Sequence, residues 1–184
     1  GKVLPQEEDL GIKTMFYTII GPLINPSKAS RHVMGVYKPE LVDIVSQVAR
    51  EVGYTRALFV HGVDGLDEIS LLGKTKVNEL NNGTITTYEI APEDFGFARC
   101  RLADISTGTP QENAVMIQDV FSGKDQGPRR QAVLLNAGGA LMIGGKVASF
   151  AEGVRLAGEL IDSGAAQRKL QQLVTASRDY KTVV

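Results

Sequence analysis

Apolar residues recur along this chain in two rhythms, compact or alternating in the first half and helical in the second. Residues 14–23 are apolar and close at Gly21-Pro22, with Asn25-Pro26 just beyond. The two prolines end that element and fix a rigid turn. Residues 32–37 read as a short buried strand. Pro39 suits the first turn of a helix. Leu41, Val42, Ile44, Val45, Val48 and Val52 then give that helix an apolar face, and Gly53 ends it. Residues 57–60 form the next strand. Strand, helix and strand with short connections make a βαβ unit, which favours a parallel sheet. Two alternating runs, 76–80 and 85–90, flank Asn82-Gly83, a pair suited to the positive φ angles of a hairpin turn. The expected fold is α/β: a mixed, mostly parallel sheet with an antiparallel hairpin, flanked by helices.

The second half reads as helical. Thr109-Pro110-Gln111-Glu112 has the capping-box pattern with proline at the first helical position. Ala114, Val115, Ile117, Val120 and Phe121 form the expected buried stripe behind it. Residues 128–144 are the most apolar helix, expected to be buried on several sides, and Ala137, Gly138, Gly139 and Ala140 let another backbone approach closely. Ser149 and Glu152 cap a helix to about Asp162. Ser163 is expected to cap a last helix ending near Ser177, with residues 178–184 frayed.

Composition narrows the class. The length of 184 residues suits one domain with a real core. A net charge of −1 gives no electrostatic reason to expect nucleic acid. No apolar run reaches the roughly 18 residues of a membrane span, and residues 1–12 carry charges where a signal peptide has its apolar stretch. The single Cys100 forms no internal disulfide and fits a reducing cytoplasm. The chain opens without methionine, on polar residues, and is expected to be cut from something longer.

The densest chemistry lies in His61-Gly62-Val63-Asp64-Gly65-Leu66-Asp67-Glu68-Ile69-Ser70, directly after the strand 57–60. In open α/β sheets, ligands bind outside the carboxyl ends of strands. Three carboxylates within five residues repel one another unless a cation sits between them. Mg2+ meets that need, taking a few carboxylate oxygens and the rest from water and phosphate. The competing reading is a solvated acidic loop. Gly21-Pro22 is the second candidate, either a rigid connection or the wall of a small-molecule pocket. His32 reads as structural or surface, His61 as a strand-end residue beside the acidic loop. Cys100 has no nearby histidine to activate it, and Lys74, Lys76 and Lys124 read as solvated faces.

Taken together, Leu10-Gly11-Ile12-Lys13-Thr14-Met15-Phe16, Gly21-Pro22-Leu23-Ile24-Asn25-Pro26, Gly35-Val36-Tyr37, His61-Gly62, Gly65-Leu66-Asp67-Glu68-Ile69-Ser70, Pro92-Glu93-Asp94-Phe95-Gly96, Gly108-Thr109-Pro110-Gln111-Glu112-Asn113-Ala114 and Leu134-Leu135-Asn136-Ala137 resemble, in order, the motifs of anthranilate phosphoribosyltransferases. The resemblance implies a transferase that moves phosphoribose from phosphoribosyl pyrophosphate to the amine of anthranilate in tryptophan biosynthesis. It also implies a homodimer at full length; no nucleic-acid or membrane partner is expected from the charge and hydropathy above. By it, Asp67 and Glu68 hold Mg2+ at the diphosphate, and Gly21 and Pro22 line the acceptor channel. It further implies that 1–184 is the C-terminal part of the α/β domain, with 1–25 as a hinge to a helical N-terminal domain.

Two departures bear on function. The family's GTGGD and KHGN segments, which precede the matched region, are absent from this chain, so the segment alone is expected to be inactive. Glu7 stands where the family has the arginine that meets the acceptor carboxylate, and Tyr17 where it has asparagine. Glutamate repels a carboxylate that arginine would pair with. Two alternatives follow: a related phosphoribosyltransferase with another aromatic acceptor, or a non-catalytic subunit that keeps the fold.

Overall fold

A computed structural model describes residues 19–180, which divide between Ala91 and Pro92 into two units. The motif at positions 10–16, Glu7 and Tyr17 lie outside the described residues.

The first unit is a four-stranded sheet in the order β1 (Arg31–Gly35), β2 (Arg56–Gly62), β3 (Thr75–Asn81), β4 (Thr84–Ile90). Helix α1 (Leu41–Val52) connects β1 to β2 as the expected βαβ unit, and those strands pair in parallel, with Gly35 opposite Val60. The other two pairings are antiparallel. The sheet is mixed, and its parallel pairing is confined, among the described residues, to β1 and β2. β2 has neighbours on both sides and is buried from Ala57 to Gly62. That double-faced burial is why it reads as an unbroken apolar run. The hairpin turns at Asn82 (φ 47°) and Gly83 (φ 87°), both left-handed as a two-residue turn matching strand twist requires. Thr84, Thr86, Thr87 and Glu89 keep the β4 edge polar and exposed, which discourages further strand addition.

Helix α1 begins where the carbonyls of Lys38 and Pro39 accept the amides of Leu41 and Val42. It ends at Gly53, whose φ of 101° lets its amide close on Ala49 and Arg50. The buried line is Val42, Val45, Ser46 and Ala49, whereas Ile44, Val48 and Val52 are about half exposed. The expected apolar face is therefore rotated. Small Ser46 and Ala49 let the helix lie close on the sheet, and Ser46 Oγ is satisfied by Asp43 O and by Asn78. Around this line the core gathers Met34, Val36, Tyr54, Ala57, Phe59 and Leu80. Burying each large apolar side chain contributes roughly 1.5–3 kcal/mol.

The second unit holds α2 (Leu102–Ile105), α3 (Pro110–Phe121), α4 (Pro128–Ile143), α5 (Phe150–Asp162) and α6 (Ala165–Tyr180). Thr109 and Ser149 cap α3 and α5 through reciprocal bonds with Glu112 and Glu152, as the sequence leads one to expect. The α4–α5 crossing is backbone on backbone: a Cβ on Gly153 would lie 2.2 Å from Gly138 O. Arg130, buried in the first turn of α4, pairs with Asp162 at the end of α5 at 2.8 Å. Two expectations change. On α3 only Val120 is buried, while Val115 and Ile117 are exposed, because its packing on α5 and α6 covers little of the helix. Ser163 is the C-cap of α5 rather than the start of α6; Gly164, at φ 72°, makes the turn, and α6 continues to Tyr180. No helix among the described residues is long and apolar enough to cross a membrane.

Candidate functional site

β2 ends at His61 and Gly62, and the chain leaves the C-terminal end of the strand as a tight loop. The amide of Gly62 donates to Leu66 O at 2.8 Å and that of Gly65 to Gly62 O at 2.9 Å, so the loop folds back on the strand end. Gly65 sits at φ 97°, a conformation L side chains rarely adopt.

The three carboxylates separate into two roles. Asp64 is consumed by the loop itself: Oδ1 accepts the Leu66 amide at 3.1 Å, and Oδ2 accepts the Ser70 hydroxyl at 2.5 Å. Such a side chain closes its own turn. Ser70 is buried, and its amide donates to Thr75 Oγ1 at 2.9 Å, which ties the loop to the start of β3. Asp67 and Glu68 instead face solvent, and among the described residues neither joins an ion pair. Partial desolvation, and then the charge of Asp67, raise the Glu68 carboxyl above its ordinary value. Two adjacent, mutually repelling, hard oxygen donors suit a divalent cation that keeps most of its shell for water and phosphate. No cluster of three His, Cys, Asp or Glu groups able to hold a metal occurs among the described residues. The donor set fits Mg2+ bound through two carboxylates, and does not form a closed protein cage.

His61 is buried, and its Nδ1 donates to Val36 O at 2.7 Å, which fixes the tautomer and ties β2 to the end of β1. Gly21 and Pro22 lie in a single helical turn, Gly21–Leu23, whose Pro22 carbonyl accepts the Tyr54 hydroxyl at 3.1 Å. Beside them is a cavity of about 340 Å3 that also touches Arg31, His32 and Tyr54. His32 stacks on Tyr54 at 5.7 Å, and burial holds its imidazole below the ordinary value. This cavity adjoins the N-terminal end of β1, whereas the acidic pair adjoins Gly35 at the other end. The two candidate sites are thus separated along β1 by roughly 10 Å at strand rise. Lys74, Lys76 and Lys124 each pair with a surface carboxylate, as solvated residues do. Sequence reasoning did not single out the roles of Asp64, Ser70 and Gly35. Their only signal was an acidic and a hydroxyl residue six apart around a glycine.

The fold is an α/β unit with an exposed acidic loop at a strand end, joined in sequence to a helical unit. The chain belongs to the glycosyl transferase family, a/b domain, whose sequence model matches residues 1–167. It is 46% identical over 172 residues to the anthranilate phosphoribosyltransferase of Desulfosudis oleivorans, covering 94% of this chain and 50% of that protein. It is 47% identical over 167 residues to that of Methanobrevibacter smithii, covering 91% and 49%. The crystal structure of the Thermus thermophilus anthranilate phosphoribosyltransferase superposes with a TM-score of 0.83 at 37% identity, over 93% of this chain and 50% of that one. The Saccharomyces cerevisiae enzyme, in complex with PRPP and Mg, superposes with a TM-score of 0.80 at 32% identity, over 92% and 48%. The chain spans about half the length of the curated relatives it matches.

Proposed function

We propose that this chain is part of an anthranilate phosphoribosyltransferase of tryptophan biosynthesis, and that Asp67 and Glu68 hold Mg2+ at the diphosphate of phosphoribosyl pyrophosphate. The observation that carries this is the pair of adjacent carboxylates beyond the C-terminal end of β2, exposed and without an ion pair among the described residues, set apart from the bonded Asp64. The likeness to relatives of that name, one of them in complex with PRPP and Mg, supports it. Bound Mg2+ supplies positive charge to a leaving diphosphate as the C1–O bond breaks. Asp67 and Glu68 would contribute oxygens to the ion and fix its position. The sugar develops oxocarbenium character, so positioning counts for more than a strong base. The acceptor role of Gly21 and Pro22 rests on the resemblance, and a cytoplasmic homodimer is the assembly it implies. Asp67→Asn with Glu68→Gln is expected to abolish Mg2+-dependent binding of phosphoribosyl pyrophosphate in calorimetry while the circular dichroism spectrum stays native. Unchanged binding would sink the assignment.

A second reading concerns the acceptor. Glu7 stands where the family's motif carries arginine, which favours an aromatic amine other than anthranilate. Rescue of a tryptophan auxotroph by the full-length gene supports anthranilate; failure with a stable, full-length, phosphoribosyl-pyrophosphate-binding protein supports the other acceptor.

A further inference from the structure

Among the described residues, the Asp67 and Glu68 side chains make no hydrogen bond or ion pair that would hold the acidic pair in place. Its backbone rests on β1 at Gly35, the last residue of that strand. A Cβ built on Gly35 would lie 1.5 Å from Asp67 O, 2.6 Å from Asp67 C and 3.3 Å from Asp67 Cα. The Asp67 carbonyl therefore occupies the space of a side chain. Gly35 does not adopt a left-handed φ, so its backbone conformation accepts any residue, and only the approach of the acidic loop calls for glycine.

The strand end cannot retreat to make room. The amide of Val36 donates to Val60 O at 2.9 Å, and its carbonyl takes the His61 Nδ1 bond at 2.7 Å. Each holds the residue after Gly35 against β2. On the other side, the loop is braced by the two Asp64 bonds to the Leu66 amide and the Ser70 hydroxyl, one before the acidic pair and one after it. Leu66 to Ser70 is thus spanned by one carboxylate, and the peptide between them is seated on Gly35.

We propose that Gly35 and Asp64 are positioning residues for the cation site: Gly35 seats the Asp67 peptide against the pinned end of β1, and the Asp64 carboxylate clips the loop on both flanks of Asp67 and Glu68, so that the pair is presented ready-placed to a divalent cation. This rests on the reading of Asp67 and Glu68 as cation ligands, and it assigns Asp64 a place outside the ligand set. Real Cβ contacts stay beyond 3.0 Å, so alanine at Gly35 moves the Asp67 peptide by at least about 1.5 Å. Outer-shell changes that misplace ligands typically lower metal affinity by roughly 10–100-fold.

The test is paramagnetic broadening of backbone amides by Mn2+ in the 15N-labelled 184-residue chain. It reads weak binding at the loop directly and needs no turnover. Gly35→Ala and Asp64→Ala are each expected to raise the Mn2+ concentration that half-broadens the Asp67 and Glu68 amides by roughly 10–100-fold, with the β3–β4 hairpin amides unshifted. Asp64→Asn keeps an acceptor for Leu66 and a partner for Ser70, and is expected to stay within about twofold of the unmodified chain. Asp67→Asn with Glu68→Gln abolishes the broadening. If Gly35→Ala does not fold, the contrast between Asp64→Ala and Asp64→Asn carries the test alone. Wild-type broadening in a folded Gly35→Ala or in Asp64→Ala, with the double variant silent, overturns the positioning roles and leaves the cation site standing. Equal loss in Asp64→Asn and Asp64→Ala makes Asp64 a ligand and overturns the proposal. Wild-type broadening in the Asp67, Glu68 double variant overturns both.

Discussion

Two glycines of the same helix are expected to respond to alanine in opposite directions. Gly153 and Gly158 both lie in α5, and alanine favours a helix interior over glycine by about 0.5–1 kcal/mol. Helix propensity alone therefore stabilises both variants. Their surroundings differ. A Cβ on Gly158 has Arg130 Nη2 as its nearest neighbour at 3.9 Å, an ordinary contact with the end of a side chain. A Cβ on Gly153 meets the Gly138 backbone of α4 at 2.2 Å (O), 2.9 Å (C) and 3.0 Å (Cα). Backbone cannot step aside as a side chain does, so the helices must part by most of an ångström. Gly138 is also tight, with Val154 N at 2.8 Å from its own would-be Cβ. Overpacking a well-fitted contact costs about 1–3 kcal/mol, which outweighs the propensity gain. Gly153→Ala is expected to lose about 1–2 kcal/mol net, and Gly158→Ala to gain about 0.5–1 kcal/mol. At about 2–4 °C per kcal/mol for a chain of this size, calorimetry should place the two melting temperatures several degrees apart, on either side of the parent. A Gly153→Ala protein as stable as the parent, or a shift of the same sign in both, would refute the reasoning.

Asn78 is buried on β3, donates to Asp43 and Ser46 on α1, and accepts from Thr87 on β4. Asn78→Leu is expected to cost about 1–3 kcal/mol in urea unfolding, because its partners lose their bonds in a partly buried place; an unchanged midpoint counts against this. The Arg101 side chain and amide bond to Asp104 hold its carboxyl at about 2. A depressed acid adds stability above its unfolded value, lost as pH falls through the folded one. The α2 turn is therefore expected to persist at pH 4 and to loosen near pH 2, with the Asp104 carboxyl carbon titrating near that value by NMR; a midpoint near 4 in the folded protein speaks against the capping bond.

Local chemistry decided much of this molecule before any packing. The hairpin turn at Asn82-Gly83, the caps at Thr109 and Ser149 and the helix stop at Gly53 all follow from near neighbours in the chain, and each stands where residue type alone puts it. That Asp67 and Glu68 stand side by side and repel one another is equally plain from the chain; that they hold a cation is the proposal made above. Tertiary contacts decided the rest. Which face of α1 is buried depended on where small Ser46 and Ala49 let the sheet come close, so periodicity alone placed it roughly 80° away. Val115 and Ile117 carry an apolar pattern, but burial needs a partner surface, and on α3 only Val120 finds one among the described residues. Sequence spacing could not separate Asp64 from the other two carboxylates, because the difference lies in the fold-back that brings Ser70 within reach of it. Nor could it show that Gly35, distant in sequence from Asp67, is the surface on which the acidic pair sits. Contacts between residues far apart in the chain exist only once strand and loop have met, and they fix where the carboxylates stand.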